Sequence, residues 1–184
     1  MLNQSEFKNE WCLFLDRDGV INKQIIGGYV KNPDEFEFLP GSLEAIRILS
    51  SLFKNIFIVS NQQGIGKGIM SLQDLDNVHR QMSGIIKANG GRIDRIFFCP
   101  DLASKKPNCR KPGLAMAQMA KREFPAVNFN KSYMVGDTKS DMEFGQNAEM
   151  KCVLIRQAEE FEIKAPNILI MTSLLEFANY LKSS

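Results

Sequence analysis

Short apolar runs alternate along the chain with longer segments whose apolar residues recur at helical spacing. The apolar runs predict buried strands at 11–15, 56–60, 93–99, 132–137, 151–155 and 168–171. The spaced segments predict helices at 42–53, 71–88, 113–124 and 173–182, and a further short helix precedes the fifth strand. Ser42 and Ser71 are the predicted N-caps of the first two helices, and Asn89, Gly90 and Gly91 end the second.

Strands that are apolar throughout and alternate with helices are typical of a parallel sheet covered by helices on both faces. We therefore expect an α/β fold of three layers. The chain has 184 residues and shows no internal repeat or long linker, so we expect one domain over residues 1–184. Such sheets bind ligands beyond the carboxyl ends of their strands, so the residues that follow each strand hold the candidate site.

Composition restricts the classes of partner. Hydrophobic residues make up 44% of the chain, which is enough for a sizeable core, and the formal net charge of +2 does not favour nucleic acid as a partner. No apolar run approaches the roughly 20 residues of a membrane helix, and no charged and then apolar leader opens the chain. Cys12 and Cys152 lie in apolar runs and are expected to be buried. We expect a cytoplasmic protein with no membrane partner.

Charged and polar residues follow four of the predicted strands. They are Asp16, Arg17, Asp18 and Gly19 after the first strand, Ser60, Asn61 and Gln62 after the second, Arg110 and Lys111 one loop after the third, and Gly136, Asp137 and Asp141 after the fourth. If the sheet is parallel, all four groups converge on one edge. Carboxylates, a lysine, an arginine and a hydroxyl would then share one crevice.

These side chains fit the chemistry of phosphoryl transfer. Clustered carboxylates suit a hard cation such as Mg²⁺, which takes one or two carboxylates together with a substrate phosphate. One carboxylate can attack phosphorus, and a second can protonate the leaving oxygen and then activate water. A lysine and a hydroxyl would hold the phosphoryl oxygens. Taken singly, each group has a plainer explanation as a turn, a helix cap or a solvated pair, and their order at successive strand ends is what indicates catalysis.

Four motifs at these positions resemble those of the haloacid dehalogenase superfamily of phosphotransferases. FLDRDGVIN resembles the first motif, IVSNQ the second, Lys111 the third and VGDTKSD the fourth. The resemblance implies a Rossmann-like sheet in which Asp16 is the nucleophile and Asp18 the general acid and base. It also implies Mg²⁺ held by Asp16, the backbone carbonyl of Asp18 and Asp137, with Asp141 supporting the metal site from behind.

A narrower resemblance is to the subgroup that contains the D,D-heptose 1,7-bisphosphate phosphatases and the histidinol-phosphate phosphatases. It rests on DRDGVIN, GYV, FLPGSLEAI, SNQQGIGKG and CRKP. Members of this subgroup lack a large cap domain, and here 22–40 and 61–70 are short enough to be loops that form the walls of an open pocket. By resemblance, substrate and phosphate binding fall on Ser60, Asn61, Gln62, Gln63, Arg110 and Lys111.

The resemblance implies a Mg²⁺-dependent phosphoric monoester hydrolase that acts on a small phosphorylated metabolite, and we expect a monomer. The favoured substrate is D-glycero-D-manno-heptose 1,7-bisphosphate, which would lose its C7 phosphate in heptose biosynthesis toward a lipopolysaccharide precursor. Histidinol phosphate is the alternative substrate, and a non-catalytic domain that binds phosphorylated ligands is a third hypothesis. Thr138 stands where heptose enzymes often have lysine, which weakens the case for a bisphosphate, although Lys23, Lys67 and Arg110 remain available for a second phosphate.

The loop CPDLASKKPNCRKP departs from the zinc loop of this subgroup. Cys99 and Cys109 match, but Asp101 stands where a histidine is expected and Pro107 where a cysteine is expected. Structural zinc sites mostly use cysteine and histidine, so we expect no structural zinc. We expect Cys99 in the core and Cys109 as a free thiol, since a reducing cytoplasm disfavours a disulfide. The single histidine, His79, is expected on a helix surface, without a catalytic role.

Overall fold

The computed structural model describes residues 10–156 and 167–183, in which six parallel strands form one sheet. The strands are β1 (Cys12–Leu15), β2 (Asn55–Asn61), β3 (Arg95–Cys99), β4 (Ser132–Gly136), β5 (Lys151–Ile155) and β6 (Ile168–Met171). Their order across the sheet is β3-β2-β1-β4-β5-β6. Leu13 of β1 lies opposite Ile56 of β2 on one side and Tyr133 of β4 on the other. The predicted parallel sheet is confirmed, and the predicted strand ends agree to within two residues.

Helices connect the strands, close to where the apolar spacing predicts them. They are α1 (Ser42–Leu52), α2 (Leu72–Ala88), α3 (Ala115–Glu123), α4 (Lys139–Asn147) and α5 (Leu174–Ser183). Two short 3₁₀ helices, Pro33–Glu35 and Phe129–Lys131, lie in the connections. Within residues 10–156 and 167–183, no helix combines the length and the apolar character needed to cross a membrane. The start of the chain, which bears on the predicted absence of a leader, lies outside these ranges.

The first two helices begin in different ways. The hydroxyl of Ser71 accepts a hydrogen bond from the N–H of Asp74 at 3.1 Å, and the Asp74 carboxylate accepts one from the Ser71 N–H at 2.8 Å. This capping box confirms the predicted N-cap of α2. The predicted N-cap of α1 is wrong: the cap is Gly41, with a φ of +76°, and Ser42 is the first helical residue. A Cβ at position 41 would lie 2.8 Å from a side-chain carbon of Leu175 in α5, so both packing and φ favour glycine.

Successive residues of β1 face two different helical layers. Leu13 and Leu15 pack in a core that includes residues of α1, α2 and α5. Cys12 and Phe14 pack in a second core that includes residues of α3 and α4. All four side chains are at most 1% exposed, so β1 is covered on both faces. The predicted three-layer architecture is confirmed.

The position of β1 in the sheet determines where a ligand site can form. The chain runs from β1 outward through β2 to β3, and then returns to the other side of β1 with β4. The connection that leaves β1 therefore runs toward β2, and the one that leaves β4 runs toward β5 in the opposite direction, which opens a crevice beyond the carboxyl end of β1. The loop that begins at Asp16 lies at this point of the sheet.

Candidate active site

Asp16 lies at the carboxyl edge of the sheet, directly after β1. Its N–H donates a hydrogen bond to the carbonyl of Val135 in β4 at 2.9 Å, which fixes the start of the loop. Lys111 Nζ lies 2.8 Å from Asp16 Oδ1 and donates to the carbonyl of Val59 in β2 at 2.7 Å. The backbone of β2 therefore anchors the lysine ammonium next to the Asp16 carboxylate.

Asp137 and Asp141 complete an acidic cluster with Asp16. One oxygen of each carboxylate lies within 4.8 Å of the others. Asp141 Oδ1 is 2.5 Å from Lys111 Nζ, and Asp141 Oδ2 accepts a hydrogen bond from the N–H of Thr138 at 3.0 Å. Asp137 Oδ1 is buried and has no hydrogen-bond partner among the described residues. A buried, unpaired carboxylate oxygen beside other carboxylates suits a hard cation, so these residues fit the predicted Mg²⁺.

Two glycines make room for the acidic cluster. Gly19 has a φ of +88°, and a Cβ there would lie 2.0 Å from Asp137 Oδ2. A Cβ on Gly136 would lie 2.2 Å from the Cβ of Asp141. Neither position has space for a larger residue, so the backbone itself approaches the carboxylates closely.

Burial and mutual repulsion shift the pKa values of the cluster. Burial raises the pKa of Asp16 from 3.8 to about 8; the charge of Lys111 opposes this rise, and Asp141 and Asp137 add to it. Burial, followed by the charge of Asp141, raises the pKa of Asp137 from 3.8 to about 7. Burial alone would lower the pKa of Lys111, but Asp16 and Asp141 outweigh it and raise that pKa. The site therefore favours a further cation when its carboxylates are ionised.

Asp18 has a different environment, although it lies only two residues from Asp16. Arg17 Nη2 donates to both carboxylate oxygens at 2.9 Å, Asn22 Nδ2 donates to Oδ1 at 2.9 Å, and Gln62 Nε2 donates to Oδ2 at 2.9 Å. Burial would raise the pKa of Asp18, but the Arg17 guanidinium and these hydrogen bonds outweigh it and lower that pKa. These contacts therefore favour the ionised carboxylate of Asp18.

The residues at 60–63 that are predicted to bind substrate lie at the end of β2 and in the loop after it. Ser60 lies at the sheet edge, and its hydroxyl accepts a hydrogen bond from Gln62 Nε2 at 2.8 Å. Asn61 holds the backbone of Lys111: its Oδ1 accepts from the Lys111 N–H at 2.9 Å, and its Nδ2 donates to the Lys111 carbonyl at 3.2 Å. Gln63 accepts a hydrogen bond from the N–H of Ala103 at 3.4 Å and so joins two loops. These hydrogen bonds show Asn61, Gln62 and Gln63 positioning neighbouring groups of the protein. Substrate contact by these residues stays a prediction.

A disulfide between Cys99 and Cys109 holds the loop after β3. The expectation that Cys109 is a free thiol is therefore wrong, because the loop brings the two Cα atoms to 5.4 Å, within the range of a disulfide. Cys99 is buried, as predicted. Asp101, where the subgroup has histidine, accepts a hydrogen bond from the Cys109 N–H at 3.1 Å and pairs with Lys105 at 2.6 Å. The absence of structural zinc stays a prediction.

A cleft opens beyond the carboxyl ends of β1 and β2. Asp16, Asp18, Ser60 and Asn61 line it from the sheet, and residues of the segment 24–30 line it from the loop after β1. This loop forms a pocket wall, as the sequence predicts.

Lys67, one of the predicted cations, lies beside this cleft. Its Nζ is 5.4 Å from the ring centre of Tyr29, which is part of the cleft wall. Arg110 lies in the loop after β3, where its Nη1 donates to the carbonyl of Asp101 at 3.4 Å. Lys67 is therefore the cation that the structure places next to the cleft wall.

The structure also identifies residues to which the sequence analysis assigned no role. Arg17 is fully buried and contacts Asp18 and His79, and Asn22 is fully buried and contacts Asp18. The expectation that His79 lies on a helix surface is wrong: it is 8% exposed, and it packs against Phe98 with ring centres 6.0 Å apart. Burial, followed by the charge of Arg17, lowers the pKa of His79 from 6.5 to about 3. Its position on the buried face of α2, with Leu75 and Met82, is the sequence signal that could have revealed this.

Comparisons with known proteins agree on one family. A family model described as HAD-hydrolase-like matches residues 108–168. The D-glycero-alpha-D-manno-heptose-1,7-bisphosphate 7-phosphatase of Mycobacterium bovis is 41% identical over 139 residues, which cover 76% of this chain and 73% of the relative. The D-glycero-beta-D-manno-heptose-1,7-bisphosphate 7-phosphatase of Helicobacter pylori is 36% identical over 141 residues, which cover 76% and 80% of the two chains. The crystal structure of the D,D-heptose 1,7-bisphosphate phosphatase from B. bronchiseptica, complexed with magnesium and phosphate, matches with a TM-score of 0.86 at 28% identity, over 94% of this chain and 98% of that one.

Proposed function

Because the chain belongs to the haloacid dehalogenase-like hydrolases, in the group of the heptose-1,7-bisphosphate 7-phosphatases, we propose that it hydrolyses the C7 phosphate ester of D-glycero-D-manno-heptose 1,7-bisphosphate. The observation that carries the proposal is the arrangement around Asp16. Its carboxylate has the Lys111 ammonium at 2.8 Å and two further carboxylates within 4.8 Å, and it faces the cleft that Asp18 also lines. This is the set that transfer of a phosphoryl group to an aspartate requires.

In the first half of the reaction, a carboxylate oxygen of Asp16 attacks phosphorus. An O–P bond forms to Asp16 as the bond between phosphorus and the sugar oxygen breaks, and the leaving oxygen takes a proton from Asp18. Asp18 must take up this proton from solvent before the step, since the contacts of its carboxylate lower its pKa. Lys111 and the Ser60 hydroxyl would stabilise the charge on the phosphoryl oxygens.

In the second half, water hydrolyses the aspartyl-phosphate. Asp18, now a carboxylate again, takes a proton from water as the water oxygen attacks phosphorus. The bond between phosphorus and Asp16 breaks, which restores the Asp16 carboxylate and releases inorganic phosphate. The hydrogen bonds from Arg17, Asn22 and Gln62 favour the ionised Asp18 that this half requires.

Magnesium fits the same site. Asp16, Asp137 and the backbone carbonyl of Asp18 would hold the ion, with Asp141 behind them, and Asp137 Oδ1 is the buried oxygen that lacks another partner. When bound, Mg²⁺ would neutralise the charge that develops on the phosphoryl oxygens. The magnesium and phosphate bound to the B. bronchiseptica relative support this assignment.

The relatives favour the heptose bisphosphate over histidinol phosphate as the substrate. Two of them, from different organisms, are named heptose-1,7-bisphosphate 7-phosphatases, one for the alpha and one for the beta anomer. Lys67 lies beside Tyr29 of the cleft wall and would supply positive charge for a second phosphate, with Arg110 as a further candidate. Thr138 in place of lysine therefore does not remove all cations from the site. The anomer preference is left to experiment.

The experiment that tests the proposal compares kcat/KM with Mg²⁺ on both anomers of the heptose bisphosphate and on histidinol phosphate. We expect one heptose anomer to exceed histidinol phosphate by at least about a hundredfold, and Asp16→Asn to abolish turnover of all three. A preference for histidinol phosphate would reject the substrate. Full activity of Asp16→Asn would reject the mechanism. Tight binding of a phosphate ester without hydrolysis would support the non-catalytic alternative.

We also propose that the protein is a cytoplasmic monomer that acts in the formation of a lipopolysaccharide precursor. The open cleft, without a large inserted cap between the described elements, is the feature that favours a monomer. The disulfide between Cys99 and Cys109 counts against a cytoplasmic location, because disulfides are rare in reducing compartments. Sedimentation of the purified protein and fractionation of its host cells would decide the two points.

A further inference from the structure

Arg17 occupies a buried position between the catalytic carboxylate of Asp18 and helix α2. Its side chain is fully buried, and Nη2 donates to both oxygens of Asp18 at 2.9 Å. At the opposite corner of the guanidinium, Nη1 lies 3.2 Å from Nε2 of His79. Arg17 is thus held at two points, one on the carboxylate and one on α2.

The contact between Arg17 and His79 determines the state of the histidine. A guanidinium has only donors, so His79 Nε2 must accept the hydrogen bond and the ring must be neutral with its proton on Nδ1. The ring is itself immobilised by burial on α2 and by the edge-on contact with Phe98. A fixed acceptor on a core helix therefore sets the orientation of the guanidinium plane.

The orientation of Asp18 depends on that plane. Asn22 donates to one carboxylate oxygen and Gln62 to the other, but only Arg17, of the three, contacts both. We propose that Arg17 and His79 form a positioning pair, in which His79 fixes the guanidinium and the guanidinium fixes the Asp18 carboxylate for both of its proton transfers. His79 acts through Arg17 and is not among the residues that line the cleft.

This inference rests on the proposed function, because it requires that Asp18 moves protons. Its consequence depends on the leaving group. An alkyl phosphate needs a proton on its leaving oxygen, whereas p-nitrophenolate leaves without one. Since kcat/KM reports the steps up to formation of the aspartyl-phosphate, loss of the positioning pair would lower kcat/KM on an alkyl ester and spare it on the aryl ester.

The experiment measures kcat/KM on glycerol 3-phosphate and on p-nitrophenyl phosphate for His79→Leu, His79→Gln and Arg17→Lys. Leucine removes the acceptor, glutamine places an amide oxygen near the position of Nε2, and lysine keeps the charge but cannot contact both oxygens and His79. For His79→Leu and Arg17→Lys we expect kcat/KM to fall about tenfold or more on the alkyl ester and to change less than about twofold on the aryl ester. This is part of the roughly 10²- to 10⁴-fold contribution of a general acid or base.

Two further readouts separate positioning from folding. The ratio of the two kcat/KM values does not depend on the fraction of folded protein, so partial unfolding of a variant does not affect the comparison. His79→Gln is expected to keep the wild-type ratio within about twofold. On p-nitrophenyl phosphate, only the attack of water on the aspartyl-phosphate still needs Asp18. We therefore expect kcat and KM of His79→Leu to fall together, with a burst of p-nitrophenolate before the steady state. If His79→Leu does not fold, Arg17→Lys and His79→Gln decide the question.

Val78→Ala is the matched control. Val78 is buried one position before His79 on α2 and packs in the hydrophobic core, so its truncation is expected to lower stability and leave the ratio unchanged. Equal losses on both esters, or no loss, in His79→Leu and Arg17→Lys would overturn the inference. So would a selective loss in His79→Gln as large as that in His79→Leu.

Asp18→Asn distinguishes failure of the inference from failure of the proposed function. If Asp18→Asn shows the selective loss on the alkyl ester and the His79 and Arg17 variants do not, the proposed function stands and the positioning pair is rejected. If Asp18→Asn loses both activities equally, or loses neither, the role of Asp18 in proton transfer is rejected together with the inference.

Discussion

Three clustered carboxylates, those of Asp16, Asp137 and Asp141, share one nearby lysine. Lys111 contacts Asp16 and Asp141, and Asp137 Oδ1 has no partner. The pKa of Asp16 is raised to about 8 and that of Asp137 to about 7, mainly by burial. The three carboxylates therefore have less positive charge around them than they need when ionised. A bound cation would hold them together and stabilise the fold.

The stability of the metal-free protein should depend on pH in a way that Mg²⁺ corrects. Because the pKa values of Asp16 and Asp137 are higher in the folded chain than the usual 3.8, the folded protein binds more protons, and its stability falls as pH rises from about 4 through 7 and 8. Mg²⁺ binds the ionised carboxylates. We expect saturating Mg²⁺ to raise Tm by about 3–6 °C at pH 8 and by less than about 2 °C at pH 5.

Scanning calorimetry with and without Mg²⁺ at the two pH values checks this expectation. Asp137→Asn is the control, because it removes the carboxylate with the unpaired oxygen and should reduce the rise in Tm at pH 8. An equal rise at both pH values would contradict the assignment of these carboxylates as the cation site.

Gly19→Ala should inactivate the protein. The new Cβ would lie 2.0 Å from Asp137 Oδ2, and the φ of +88° is unfavourable for alanine. We expect kcat/KM to fall by at least about a hundredfold and Mg²⁺ affinity to fall with it, since displacement of a ligand by about 1 Å has effects of this size. Gly90→Ala is the matched control: its φ is +77°, but the nearest atoms are 3.6 Å away, in Arg47. A Gly19→Ala protein as active as Gly90→Ala would contradict the close approach.

At the scale of elements, the loop from Cys99 to Pro112 is held by a disulfide and hydrogen bonds, and it lacks the full cysteine and histidine set of the related zinc loop. The disulfide joins its ends near β3 and near Lys111, and Asp101 hydrogen-bonds within the loop. Its start is also tied to the loop after β2, because the Gln62 N–H donates to the Cys99 carbonyl at 2.7 Å. These contacts connect the loop that carries Lys111 to the residues around Asp18.

The number of free thiols tests this organisation of the loop. Protein purified without reductant and then denatured should show two reactive thiols, from Cys12 and Cys152, and four after reduction. Elemental analysis of the same sample should show no stoichiometric zinc, because a disulfide has no thiolate to offer the metal. Four thiols and about one zinc per chain would reject both the disulfide and the prediction about zinc.

The pattern of the elements allowed much of the site to be predicted, because parallel strands bring their carboxyl ends together. Asp16, Ser60, Lys111 and Asp137 were identified from this rule and from motif resemblance, and the structure places them at one edge of the sheet. The role of Asn61 could not be predicted in the same way. Its contacts with the Lys111 backbone join residues 50 positions apart, and only the folded loop creates them.

His79 shows a different limit. A lone histidine on an amphipathic helix is more often exposed, but His79 is buried. The spacing from Leu75 to His79 and from His79 to Met82 is that of one helical face, which is buried here. The sequence therefore held the signal for burial, but not for the partner, because Arg17 is 62 residues away in the chain.

At the scale of the whole molecule, one sheet with two helical layers delivers every predicted catalytic group to a single crevice. β1 is buried on both faces, so its end is rigid, and Asp16 follows it directly at the edge of the sheet. The neighbouring strands supply anchors for the groups around Asp16, since Val59 of β2 accepts from Lys111 and Val135 of β4 accepts from the Asp16 N–H. The chemistry therefore depends on the order of the strands as much as on the motifs.

The proposed reaction removes the C7 phosphate of D-glycero-D-manno-heptose 1,7-bisphosphate and leaves the C1 phosphate in place. Phosphorus NMR of the reaction with Mg²⁺ follows both phosphate groups of the substrate at once. We expect the C7 phosphate signal to be replaced by inorganic phosphate while the C1 phosphate signal remains, and no change with Asp16→Asn. Release of the C1 phosphate, or persistence of both ester signals with the unchanged protein, would contradict the account.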